Sequence, residues 1–125
     1  MANEISISIS ITAAKGGAQY QRSIAFNDDM AGDSWETGIM EIAATDTTIT
    51  DTQVGNYGWL FLKNCGTNPD LYIDFAHDAA ALSGDDTICR LYGGESCILK
   101  SAGETNLHAI SSTGVQNCEY AIIEL

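Results

Sequence analysis

Near its start the chain contains the run EISISISIT, Glu4 to Thr12, in which isoleucine alternates with serine or threonine four times. On a β-strand, successive side chains point to opposite faces. The pattern therefore places Ile5, Ile7, Ile9 and Ile11 on one face and the hydroxyl residues on the other. The run predicts a strand whose apolar face needs a cover.

Short runs of the same alternation recur along the chain, separated by turn residues. The first turn is AAKGGAQ, with paired glycines, and YQRSIAF follows it. Later runs are YGWLFLKN, LYIDFA, TICRLY, SCILKS, LHAIS and CEYAIIEL. Short strands with turns roughly every 8 to 12 residues are typical of antiparallel folds. We predict an all-β chain, an antiparallel β-sandwich or jelly-roll-like barrel of about eight strands, forming a single domain over residues 1–125.

The charge of the chain argues against two classes of partner. Five Lys and Arg against 17 Asp and Glu give a net charge of −12, which repels phosphate backbones and anionic lipid. We therefore expect no nucleic-acid partner and no membrane partner. No apolar run reaches about 18 residues, and the start MANEISISIS lacks the regions of a secretory signal. These observations predict synthesis and folding in a cytoplasm.

No motif for catalysis or for binding a metal or cofactor stands out. The chain has no G-x-S-x-G elbow and no glycine-rich phosphate loop, and His77 and His108 lie near no cysteine pair. Asp28, Asp29 and Asp33 resemble part of a calcium loop, but the glycine precedes the last of them. We expect a non-enzymatic protein with no catalytic, metal-binding or cofactor-binding residues. A histidine that faces a cysteine or a carboxylate in a concave pocket would contradict this expectation.

The four cysteines, Cys65, Cys89, Cys97 and Cys118, are separated by 24, 8 and 21 positions. No C-x-x-C pair occurs, so the spacing does not favour structural zinc. We expect half-buried thiols on strands. Disulfides within or between chains stay open as an alternative, and they would need an oxidising setting after release from the cell.

One run combines two apolar faces. In YGWLFLKN, the alternation puts Tyr57, Trp59 and Phe61 on one face and Leu60 and Leu62 on the other. Such a strand is buried on both sides. One side faces the core, and the other is covered by a loop, by another subunit or by a sugar ring that stacks on the aromatic residues.

Parts of the chain resemble a group of small structural proteins from tailed-bacteriophage virions. The shared pattern is a glycine-aromatic strand ending in FLKN, a short polar turn, a hairpin around a GE step and a closing EY-x-I-x-E strand. These elements fall here at Gly58 to Asn64, Leu71 to Phe75, Gly94 to Lys100 and Glu119 to Glu124. The MANEISISISI…KGG opening is also similar. The resemblance covers most of the second half and the first 17 residues.

This resemblance implies a non-enzymatic β-sandwich that binds the outside of a capsid or belongs to a tail or fibre, usually as a dimer or trimer. The implied partners are the major capsid protein or other virion proteins, and the implied location is the virion, after synthesis in the host bacterial cytoplasm. We expect a capsid decoration or cement protein. The alternatives are a tail or fibre component, and a lectin-like module in which Trp35, Trp59 or Tyr72 stacks on a sugar.

The alternating first strand fits such a role. Residues 1–14 would form either an edge strand of the same domain or an arm that exchanges to a neighbouring subunit and adds a strand to its sheet. Each isoleucine that becomes fully buried contributes about 1.5–3 kcal/mol. The candidate subunit interface comprises Ile5, Ile7, Ile9, Ile11, Tyr57 and Trp59.

Overall fold

A computed structural model describes residues 4–30, 32, 34–49, 54–78, 87–101 and 106–124. Within these residues the chain forms ten strands and no helix, which confirms the all-β prediction. The strands are β1 (Ile5–Lys15), β2 (Ala18–Asp28), β3 (Trp35–Ile42), β4 (Thr47–Thr48), β5 (Tyr57–Asn64), β6 (Tyr72–Ala76), β7 (Cys89–Tyr92), β8 (Ser96–Lys100), β9 (His108–Ser111) and β10 (Gln116–Glu124). The expected number was about eight, and the ten observed strands include β4, which has only two residues.

The chain divides into two compact units, Met1–Ala31 and Gly32–Leu125. The first unit holds β1 and β2, which pair as an antiparallel two-stranded sheet. The second unit holds two four-stranded sheets. Sheet I has the strand order β3-β10-β5-β8, and sheet II has the order β4-β9-β6-β7. Neighbouring strands in both sheets are antiparallel. The second unit is therefore a β-sandwich and not the closed barrel that was the alternative.

The core lies where the inward-facing residues of the two sheets meet. Sheet I contributes Leu60, Leu62 and Ile122, all without exposed surface. Sheet II contributes Ile73 and Phe75, which are also fully buried. Within β5 and β6 these residues stand two positions apart, so the period of two seen in the sequence defines the inner faces of the sandwich.

A bulge moves one residue into this core. On β10, Ile123 lies opposite Trp59 of β5. The next residue, Glu124, lies opposite Tyr57, which makes Gly58 an extra residue on β5. Such an extra residue changes the alternation locally. Tyr57 therefore joins the core cluster, only 2% exposed, and does not share the face of Trp59 as strict alternation predicted.

A buried pair of amide side chains links the two sheets. On β5, Asn64 donates from Nδ2 to Oε1 of Gln116 on β10 and to the carbonyl of Leu91 on β7, both at 3.0 Å. Gln116 donates from Nε2 to Oγ of Ser111 at 2.7 Å and to the carbonyl of Tyr72 at 2.9 Å. Because Leu91, Ser111 and Tyr72 belong to sheet II, these hydrogen bonds fix the position of one sheet on the other.

Candidate functional site

The β1–β2 hairpin is the feature that most resembles an interaction surface. Its strands are 11 residues each, and a two-residue turn joins them. The turn residues Gly16 and Gly17 have φ values of 58° and 84°. Positive φ at both central positions is typical of the type I′ turn, which matches the twist of a hairpin. Lys15 pairs with Ala18 beside the turn, and the register continues without a shift along both strands. The predicted first strand and glycine turn are confirmed.

Cross-strand pairing gathers the large apolar side chains of the hairpin on one side, which we call the apolar face. Residues directly opposite in a ladder point to the same side. The pairs on the apolar face are Ile5–Asp28, Ile7–Phe26, Ile9–Ile24, Ile11–Arg22, Ala13–Tyr20 and Lys15–Ala18. The exposed fractions are 38% for Ile9, 53% for Ile11, 58% for Tyr20, 45% for Ile24 and 39% for Phe26, against 6% for Ile5 and for Ile7. Five large hydrophobic side chains on this face are thus open to solvent.

The opposite face of the hairpin is polar. Its cross-strand pairs are Ser6–Asn27, Ser8–Ala25, Ser10–Ser23, Thr12–Gln21 and Ala14–Gln19. A two-stranded hairpin is at best marginally stable in water without further packing. A contiguous apolar surface of this kind is one that proteins cover with a partner.

The hairpin also differs from the rest of the chain in charge. The hairpin, residues 5–28, contains two cations, Lys15 and Arg22, and one carboxylate, Asp28 at the end of β2. Residues 32–125 contain 14 Asp and Glu against three Lys and Arg, a net charge of −11. The hairpin is therefore the part of an acidic chain at which a second acidic chain meets the least repulsion.

The candidate interface residues of β5 do not lie together on one surface. Tyr57 belongs to the core cluster. Trp59 is 8% exposed, and Nζ of Lys100 lies 5.4 Å from the centroid of its ring. Among the six residues that the sequence indicated, Ile9 and Ile11 are the two that stay exposed in the single chain.

The aromatic residues proposed for sugar stacking differ in how far their rings are exposed. The ring of Tyr72 is covered by the guanidinium of Arg90, whose Cζ lies 4.0 Å from the ring centroid. The ring of Tyr92 meets Tyr72 edge-on, with centroids 5.4 Å apart. Trp35, in contrast, is 62% exposed. Of the three candidates, Trp35 is the most exposed.

The two histidines have hydrogen-bond partners. Nδ1 of His108 lies 2.9 Å from Oδ1 of Asp46, and Nδ1 of His77 lies 3.1 Å from the carbonyl oxygen of Asn106. The first pair joins a histidine and a carboxylate, as an acid–base site would. Two surface pockets formed by described residues lie beside the hairpin turn and beside the start of β10, with volumes of about 290 and 270 Å³. Neither is lined by a histidine.

The described residues contain no group of three His, Cys, Asp or Glu side chains that could hold a metal ion. In the calcium-like segment, the side chain of Asp28 accepts a hydrogen bond from the backbone N–H of Asp29 at 3.1 Å. Asp33 lies outside the described residues.

The cysteines contain a close pair that the spacing did not indicate. Sγ of Cys89 on β7 lies 3.6 Å from Sγ of Cys97 on β8, within S–H···S hydrogen-bond distance. All four cysteines are free thiols. The hydrogen bond with Cys89 lowers the pKa of Cys97, and the same hydrogen bond raises the pKa of Cys89. The sequence signal is CRLYGGESC, in which both cysteines flank a Gly-Gly step.

Comparison of the chain with protein-family models, with curated proteins and with solved structures finds no match. Among the residues that the structure describes, no helix has the length and apolar character needed to cross a membrane.

Proposed function

We propose that this chain is a non-enzymatic virion protein of a tailed bacteriophage, a capsid decoration protein that binds the outer capsid surface as a homo-oligomer. The observation that carries the proposal is the apolar face of the β1–β2 hairpin, which leaves five large hydrophobic side chains exposed. Its function would be to bind other proteins of the virion and not to catalyse a reaction. The resemblance of the FLKN and EY-x-I-x-E segments to virion proteins supports the choice of a capsid. The GE step does not form the expected hairpin, because β7 and β8 belong to different sheets.

The apolar face supports a contact between subunits. Ile9 and Ile24 form a cross-strand pair at the middle of the hairpin, and both are more than a third exposed. Complete burial of such a side chain contributes about 1.5–3 kcal/mol. Residues 5–28 carry two cations, Lys15 and Arg22, and one carboxylate, Asp28 at the end of β2, so copies of the hairpin repel one another far less than copies of the acidic second unit do. We therefore assign the apolar face to contact between copies of this chain, as a dimer or trimer.

The acidic second unit supports a different contact. Its net charge of −11 complements a basic protein surface and repels nucleic acid and anionic lipid. Charge of this kind raises the rate of docking and selects the partner more than it increases affinity. The major capsid protein, at a basic patch on its outer surface, is the partner that we propose for this unit.

The decisive experiment adds the purified full chain to phage capsids assembled without it. We expect electron cryomicroscopy to show added density on the outer capsid surface, and DNA release on heating to shift to a higher temperature. Added density only at the tail or fibres would show that the protein is a tail or fibre component and not a capsid decoration protein. Unchanged particles with no bound chain would overturn the proposal of a virion role.

The contact between subunits has its own test in solution. Ile9→Ser combined with Ile24→Ser removes the central pair of the apolar face, and we expect light scattering after size exclusion to show a smaller oligomer. The matched control is Ser10→Asn with Ser23→Asn, the neighbouring cross-strand pair on the polar face. If both double variants keep the parent mass, the apolar face does not hold the subunits together.

A further inference from the structure

The thiol pair Cys89–Cys97 joins the two sheets of the sandwich. Cys89 lies on β7, opposite Phe75 in sheet II, and Cys97 lies on β8, opposite Leu62 in sheet I. Both cysteines pack against the core from its edge and are partly exposed. The chain passes from one sheet to the other in between, at Gly93 and Gly94. A bond between the two sulfur atoms would therefore link the sheets covalently at the point of crossover.

Backbone hydrogen bonds donated by the two glycines hold the crossover in place. The N–H of Gly94 donates to the carbonyl of Asn64 in sheet I at 2.9 Å, and the N–H of Gly93 donates to the carbonyl of Leu71 at 3.0 Å. Gly94 has a φ of 87°, which favours glycine. A Cβ on Gly93 would clash with the carbonyl oxygen of Asn68. The segment between the two cysteines is thus fixed, and so is the approach of their side chains.

We propose that Cys89 and Cys97 form a redox-active dithiol that closes an intersheet disulfide on reaction with a low-molecular-weight disulfide such as oxidised glutathione. The sulfur atoms lie 3.6 Å apart, and a disulfide bond needs about 2.05 Å. Closing the bond therefore requires the two sulfur atoms to approach each other by about 1.5 Å. This inference is independent of the proposed capsid role.

The reaction balances in two exchange steps. The thiolate of Cys97 attacks one sulfur of the small disulfide, which forms a mixed disulfide and expels one small thiolate. Cys89 then loses its proton to solvent, and its thiolate attacks Sγ of Cys97 and expels the second small thiolate. The two cysteines lose two electrons together, and the two thiolates that leave carry those electrons and take up protons.

The electrostatics of the pair support this order of attack. The pKa of Cys97 is lowered by its hydrogen bond with Cys89, so Cys97 forms the first thiolate. The pKa of Cys89 is raised mainly by its hydrogen bond with Cys97, and then by burial. Once Cys97 is in the mixed disulfide, its negative charge is gone. The main reason why Cys89 holds its proton is then removed.

Trypsin makes the bond directly observable. The five Lys and Arg place Cys89 in the peptide 64–90, Cys97 in 91–100 and Cys118 in 101–125. Because Cys65 also lies in 64–90, the experiment uses the full chain with Cys65→Ala, which replaces an exposed residue. The reduced protein is equilibrated with oxidised and reduced glutathione, alkylated, digested and analysed by mass spectrometry.

We expect peptide 64–90 to be linked to peptide 91–100, with the loss of two hydrogens. The bond should resist reduction by glutathione at least tenfold better in the folded chain than in the same chain unfolded in urea. The oxidised protein should melt roughly 5–10 °C higher than the reduced one, and a Cys97→Ala variant should show no such difference.

Three outcomes would overturn the proposal. The first is a link between peptides 91–100 and 101–125, which would make Cys118 the partner of Cys97. The second is a chain that carries only mixed disulfides with glutathione, or none. The third is equal resistance to reduction in folded and unfolded chains, because the fold would then contribute nothing to closing the bond.

Discussion

Arg90 donates two hydrogen bonds to the carboxylate of Asp74, from Nε to Oδ1 at 2.7 Å and from Nη2 to Oδ2 at 2.8 Å. The two residues lie directly opposite on β7 and β6. Their exposures differ, because the side chain of Asp74 is 7% exposed and that of Arg90 is 46% exposed. The hydrogen bonds with Asp74 are the main reason why the pKa of Arg90 is raised. The partner that depends most on the contact is therefore the carboxylate.

Removal of the cation should cost more stability than removal of the anion. Arg90→Met leaves the carboxylate of Asp74 buried without a counter-charge, whereas Asp74→Asn leaves a guanidinium that water still solvates. We expect urea unfolding at pH 7 to give the lowest midpoint for Arg90→Met and a smaller loss for Asp74→Asn. The double variant should recover part of the loss. Equal losses for the two single variants would show that the burial of Asp74 does not control the energy of the pair.

Asn64 should be one of the most sensitive polar positions in the sandwich. Asn64→Leu keeps the volume but removes the Nδ2 donor from the carbonyl of Leu91 and from Oε1 of Gln116. It also removes the Oδ1 that accepts the N–H of Gly66 at 2.8 Å. Each orphaned buried group costs about 1–3 kcal/mol, so we expect a loss of about 3 kcal/mol or more in the free energy of unfolding.

The matched control for this position is Asn117→Leu, an exposed residue on the neighbouring strand. We expect a change within about 0.5 kcal/mol for this variant in the same denaturant titration. Similar losses for both variants would mean that the strand, and not the amide pair, is sensitive to substitution.

Much of the fold follows from side-chain alternation and turn chemistry. The alternation from Ile5 to Ile11 predicted β1, and the paired glycines predicted its turn, because both are local properties of the chain. The two apolar faces of YGWLFLKN predicted a strand buried on both sides, and Leu60 and Trp59 are both buried. These features need no knowledge of distant residues.

Features that depend on strand pairing were not accessible from the sequence. The position of Tyr57 depends on a bulge, which is recognised only from the register of β5 against β10. The contact between Cys89 and Cys97 depends on β7 and β8 belonging to different sheets, although a hairpin within one sheet was the simplest expectation for CRLYGGESC. The sequence identified the isoleucines of the apolar face, but their cross-strand partners Ile24 and Phe26 became part of that face only through the register.

The hairpin turn should accept asparagine and reject a β-branched residue. An added Cβ at Gly16 or Gly17 meets nothing within 4 Å, so any effect of substitution comes from the positive φ. A residue other than glycine in this region costs roughly 1–2 kcal/mol, and asparagine tolerates it best. We expect Gly17→Val to loosen the hairpin and Gly16→Asn to leave it intact.

Amide hydrogen exchange over residues 5–28 measures this difference. Protection in β1 and β2 should fall in Gly17→Val and stay at the parent level in Gly16→Asn, while β5 and β10 keep their protection in both variants. If the valine variant keeps full protection in the hairpin, the turn does not determine its stability.

Alkaline pH should destabilise the protein through Cys118. Burial raises the pKa of this thiol from its ordinary value of 9.0 to about 12. Between pH 9 and 12 the folded chain therefore holds a proton that the unfolded chain has lost. Stability is fully present below pH 9 and falls as the pH rises, with a slope that approaches about 1.4 kcal/mol per pH unit for one proton. The hydrogen bond with Cys97, and then burial, also raise the pKa of Cys89, so this thiol acts in the same direction.

The prediction is tested by urea unfolding between pH 8 and 11 in the presence of a reductant. Cys118→Ala is expected to be less stable than the parent at pH 8, because it leaves a small cavity in the core. Its free energy of unfolding should nevertheless fall less steeply with pH than that of the parent. The difference in slope should reach up to about 1.4 kcal/mol per pH unit, the contribution of one proton. Cys65→Ala, which replaces an exposed thiol, serves as the control and should change the slope less than Cys118→Ala does. A slope in Cys118→Ala as steep as that of the parent would show that the buried thiol does not contribute to the alkaline loss.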